Sequence, residues 1–110
     1  MTDEEVVVEH PIDPPTAEEI NQHFTACGHS VDLINEVIDG SRMDEETQDG
    51  KNDAMDRNVR HLQIQEAKQW YIDDSESREA PADKASISAA ITAGKTYMAD
   101  NGYEYEDYVA

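Results

Sequence analysis

The chain has 110 residues, of which 26 are Asp or Glu and eight are Lys or Arg, giving a formal net charge of −18. That length supports one domain with one modest core and excludes a cofactor domain standing beside a substrate domain. Only 18 residues are Leu, Ile, Val or Phe, a share close to that of disordered chains, so Met, Trp, Tyr and Ala must complete any core and stability is expected to be marginal.

The charge is uneven: residues 1–50 hold 14 acids and one base, Arg42, whereas residues 51–110 hold 12 acids and seven bases. Such a field repels nucleic acid and anionic membrane and speeds encounter with basic protein surfaces, so a larger, basic protein is the favoured partner. Cys27 is the sole cysteine, which precludes an intrachain disulfide and points to a reducing compartment. The first residues lack the basic start and apolar stretch of a signal peptide, and no run approaches membrane-spanning length. A cytosolic protein, or one packaged into something made there, is expected.

Residues 1–15 read as a flexible acidic arm in which Pro11, Pro14 and Pro15 oppose helix. Within it Val6, Val7 and Val8 offer a short strand to a partner's sheet edge. Residues 16–102 read as the folded part, mainly α, a small bundle of about four helices. Thr16-Ala17-Glu18-Glu19 is a capping box that opens a first helix near 16–27, with Ile20, Phe24 and Cys27 inward and Gly28 as its stop. Ser30 then caps a second, near 31–39, on which Val31, Ile34 and Ile38 share a face and Gly40 supplies the left-handed end.

The polar run from Ser41 to Asp53 reads as a solvated loop. A longer helix near 54–72 comes next, with Met55, Val59, Leu62 and Trp70 along one stripe and Arg57, Arg60, Gln63 and Lys68 mostly off it. Asp83 caps a fourth, near 83–101, lined by Ile87, Ala90, Ile91, Gly94, Tyr97 and Met98 and ended by Asn101-Gly102. In the tail, 103–110, Tyr103, Tyr105 and Tyr108 alternate with acids, a pattern suited to contact with another chain or to one tyrosine packing back on the bundle.

Two clusters bear testing for metal. His23 and Cys27 stand one helical turn apart, with His29 just beyond and Asp32 as a fourth ligand. The competing reading, Cys27 as a small core residue beside Ile20 and Phe24, is preferred. Alignment of Gly50 with the turn glycine of a calcium loop places Glu45, Thr47, Asp49, Asp53 and Asp56 at ligand positions, although the ends are wrong for that motif and an acidic loop is preferred. No nucleophile elbow, zinc-protease helix, phosphate loop or dinucleotide turn occurs, and His61 reads as a surface or boundary residue rather than a base. No catalysis and no cofactor are expected.

At Asn58-Val59-Arg60-His61-Leu62-Gln63-Ile64 and again from Ile87 through Tyr97 (ISAAITAGKTY), the chain resembles small tailed-phage proteins of the virion-gene region, over roughly its C-terminal half. The resemblance implies a helical accessory or structural component of a phage particle that docks on a larger capsid or tail protein, located in the host cytoplasm or the virion. It carries over no catalytic or ligand residue. Oligomeric assembly is left open. The alternative from charge alone is a DNA mimic, an inhibitor that occupies the basic groove of a DNA-binding or defence protein.

Overall fold

The computed structural model describes residues 16–41, 47–73 and 78–109. Among them are four helices, α1 (Ala17–Asp39), α2 (Gln48–Glu66), α3 (Gln69–Asp73) and α4 (Lys84–Asp100), and no strand. The fold is thus a small helical bundle, as the sequence predicts, but the chain divides its helices differently.

The expected first two helices are one. α1 opens on the predicted capping box, with the Glu19 N–H donating to Thr16 Oγ1 at 3.1 Å and the Thr16 N–H to Glu19 Oε1 at 2.8 Å. It then runs straight through Gly28. An interior glycine costs a helix about 1 kcal/mol; here it gives the segment before α4 room to approach, since a Cβ at Gly28 would lie 3.3 Å from that of Ala82. Ser30, expected as a cap, faces α2, its Oγ 3.0 Å from His61 Nδ1. Gly40 ends α1 in the left-handed conformation (φ 82°), its N–H donating to the Glu36 carbonyl. Val37 is buried, whereas Ile38, expected inside and in angular line with Val31 and Cys27, is 41% exposed in the last turn of α1.

The expected third helix starts earlier and ends earlier. Thr47 caps α2 by accepting the Gly50 N–H at 3.0 Å, and the polar first turn is anchored by Gln48, whose Nε2 donates to buried Asn52 and to the Tyr97 hydroxyl, each at 3.1 Å. Met55, Val59 and Leu62 are fully buried, as the stripe predicts. At Ala67 the helix stops, and α3 restarts from Lys68, whose carbonyl accepts the Ile72 N–H at 3.2 Å. This break folds Trp70 and Tyr71 back onto Phe24 of α1.

α4 begins at its predicted cap, where Asp83 accepts from the Ser86 backbone and hydroxyl, and ends at Gly102 (φ 75°). Gly94 is the crossing point: a Cβ there would stand 2.5 Å from Val59 Cγ2, 3.5 Å from Met55 Sδ and 3.6 Å from Ile34 Cγ2. The pairs Gly28–Ala82 and Ile34–Gly94 advance in the same sense, so α1 and α4 run parallel. Ser30–His61 and His23–Trp70 advance in opposite senses, so α2 with α3 runs antiparallel to α1. One core cluster, from Phe24 to Met98, lies between them. No helix among the described residues is long and apolar enough to cross a membrane.

Candidate interaction surface

Two surfaces bear on function, the outer face of α1 and the strip where the tail meets α2 and α4. α1 carries Glu18, Glu19, Asp32, Glu36 and Asp39 and no Lys or Arg. At 100° per residue Glu18, Asp32, Glu36 and Asp39 fall within a sector of roughly 60°, opposite the core-facing residues. Hydrogen bonds from the side chain and backbone of Ser41 hold the Asp39 carboxyl below its ordinary range. α2 differs, because its arginines are answered by its own acids, Arg57 by Asp53 and Arg60 by Asp56 at 3.4 Å, each pair four residues apart. The acidic surplus on α1 is therefore not offset within its own helix.

The tail returns along α2. The Tyr103 hydroxyl donates to Asp56 Oδ2 at 2.5 Å. Gln63 gathers the residues beyond it: its Oε1 accepts from the Tyr105 hydroxyl at 2.6 Å and the Tyr108 N–H at 3.0 Å, while its Nε2 donates to Asp107 Oδ1 at 2.9 Å. Lys95 of α4 pairs with the same Asp107 oxygen at 2.7 Å, and the Arg60 guanidinium lies 5.1 Å from the Tyr105 ring centre. The Lys95 and Gln63 hydrogen bonds lower the Asp107 pKa; the bond to Asp56 raises that of Tyr103, and burial raises that of Tyr105. Tyr103, Tyr105 and Tyr108 are each half-buried. Of the two readings the sequence leaves open, contact with another chain or one tyrosine packed back on the bundle, the second understates the contact: 103–109 lies along the bundle, because Gln63 and Lys95 supply partners that no local pattern announces. Val6, Val7 and Val8 lie outside the described residues.

The metal candidates do not converge. His23 is exposed and stacks on Trp70, ring centres 4.7 Å apart and planes 17° from parallel. Cys27 is fully buried, its thiol pushed up to about 11 by burial and by Glu66. His29 sits two residues on, about 200° round the helix, and Asp32 is on that outer side too. The described residues contain no group of His, Cys, Asp and Glu arranged to hold an ion. Of the calcium-loop positions, Glu45 lies outside the described residues, Thr47 is a cap, and Asp49, Asp53 and Asp56 ride on α2, where successive turns cannot wrap a cation.

Several contacts escape sequence reasoning. Arg78 lies 4.8 Å from the Phe24 ring centre and Lys84 4.9 Å from that of Tyr71, which places cations on the aromatic corner. Burial and nearby His23 lower the His61 pKa. A serine against an imidazole is the minimal nucleophile–base pair, but Ser30 is 7% exposed inside the α1–α2 contact, so here the pair ties two helices together. The half-buried position of His61 agrees with its reading as a boundary residue. The chain matches no protein-family model, no curated protein and no solved structure.

Proposed function

We propose that this is a non-enzymatic docking module, which binds a basic surface of a larger protein through the acidic side of α1. The observation that carries the reading is a 23-residue helix with five acids, no Lys or Arg and an apolar side that is in the core from Phe24 to Val37. A phage-like particle is the setting we favour, with the protein as an accessory component on a larger capsid or tail protein. Its support is the resemblance of residues 58–64 and 87–97. Many of those residues, among them Val59, Leu62, Ile87, Ala90 and Ile91, are core positions of α2 and α4, so they speak for a shared helical pair more than for a shared surface.

DNA mimicry is the second reading, and the α1 acids are what favour it. Their spacing weighs against it. From Asp32 to Asp39 the face presents an acid about every 5 Å of axis, and between Glu18 and Asp32 none over about 21 Å, whereas each DNA strand carries a phosphate about every 3.4 Å. Pull-down of the natural partner by the full chain, repeated with excess duplex DNA, separates the two. Docking predicts capture that weakens with salt and is lost in Asp32→Lys/Asp39→Lys, with DNA a poor competitor. Full displacement by DNA would instead establish the mimic, and capture indifferent to both charge reversal and salt would remove the α1 face from the account.

A further inference from the structure

Where α1 and α4 end, side by side, the bundle leaves an apolar opening. Ile38, Ala93, Thr96, Tyr97 and Asp100 line a shallow groove of about 310 Å³, and Ile38, at 41% exposure, is one of three large aliphatics left in the open among the described residues. The setting is electronegative. Parallel helices bring two C-termini to one pole, each worth about half a negative charge, and neither α1 nor α4 has a base in its last turn. Asp39 and Asp100 close those turns. α2 begins at the same pole, where Asp49 and Lys51 balance and its N-terminal dipole offsets one C-terminus, leaving, among the described residues, the two carboxylates and the other C-terminus as the local excess.

We propose that this groove receives a short basic, amphipathic segment of a partner protein, seating one large aliphatic side chain between Ile38 and Tyr97 and placing Lys or Arg on Asp100, with Asp39 adding to the field from the end of α1 outside the groove. The inference rests on the docking reading above and names where it is focused. An apolar floor calls for an aliphatic residue and an acidic rim calls for cations beside it. A second copy of this chain fails that test, since at a net charge of −18 it brings acid against acid. A phosphate-bearing surface fails it for the same reason.

The test uses the full chain, isotopically labelled, titrated with a synthetic helical peptide of about 14 residues that carries Leu at positions i and i+4 flanked by Lys. Amide shifts should centre on Ile38, Ala93, Thr96, Tyr97 and Asp100. Replacing the two Leu by Gln, or Ile38→Asn in the protein, should each weaken binding about tenfold, with helicity unchanged because Ile38 is not a core residue. Asp100→Asn should weaken it less and flatten its salt dependence. Shifts centred on Glu18 to Asp32, with Ile38→Asn silent, would overturn the groove and leave the docking module standing. Equal binding by the Gln peptide overturns the groove as well, and no saturable shift anywhere overturns both.

Discussion

The waist of the bundle and its aromatic corner solve the same problem, holding α2 against α1, by opposite means. At the waist Ile34, Met55, Val59 and Gly94 meet with no room for a methyl group, so stability comes from close approach of backbones. At the corner a five-residue helix could not persist alone. It is held by large rings: Trp70 between His23 and the edge of Phe24, and Tyr71 across Phe24, with Arg78 and Lys84 over ring faces. A chain poor in aliphatics thus economises twice, by bringing small residues together where helices cross and by placing its one Trp and one Phe where a helix breaks.

The comparison is broken most severely by emptying the waist. Met55→Ala, at a fully buried site, should cost about 2–5 kcal/mol in denaturant unfolding and lower all helical signal in one transition. Filling the waist is the next test. Gly94→Ala gains up to about 1 kcal/mol of helix propensity but forces Val59 aside, with an overpacking cost of about 1–3 kcal/mol, so a net loss is expected. Gly28→Ala meets only Ala82 at 3.3 Å, on a segment outside any helix, and should be close to neutral by the same melt. If Gly28 proves the more sensitive, the crossing point lies elsewhere.

Acid sharpens the contrast, because titrating groups line the corner side of the α1–α2 contact. His61 has a lowered pKa in the fold, so its contribution is present above the unfolded value of about 6.5 and is lost as pH falls through the folded value. Glu66 runs the other way: burial raises its pKa, so protonation at lower pH favours the fold. Stability should therefore dip below about pH 6.5, and His61→Gln should remove that dip in melts across pH. The smallest global effect is expected at the tail. Gln63→Ala removes the hub for Tyr105, Asp107 and Tyr108, at a cost of about 1 kcal/mol, yet limited proteolysis should cut 103–109 much faster. Unchanged cleavage would mean that Tyr103–Asp56 and Lys95–Asp107 suffice.

Legibility in the sequence goes with locality. The Thr16 box, the Asp83 cap, the Gly40 and Gly102 stops and the Met55-Val59-Leu62 stripe are short-range devices, and each is where the pattern puts it. Gly28 reads wrongly as a stop because a glycine that ends a helix and a glycine that admits a neighbour look alike until Ala82 is in place. The start of α2 escapes the pattern because its first turn has no apolar face, although Thr47 before Gln48 and Asp49 is an adequate cap signal. The break at Ala67 has no Gly or Pro to announce it; it exists because Trp70 and Tyr71 reach Phe24. For the candidate surface, the acid surplus is readable as composition, but its concentration on one side of α1 requires knowing that α1 is a single helix.

The return of the tail decides how the molecule can be held. From Tyr103 beside Asp56 to Tyr108 beside Gln63 the chain retraces α2 towards the pole where α1 starts, so Thr16 and Val109 both lie away from the pole of Ile38 and Asp100. A bead, dye or fusion partner attached at either position hangs from the far side of the bundle. Two such molecules tethered back to back would present their open grooves outwards, in opposite directions, as a linker between two basic surfaces.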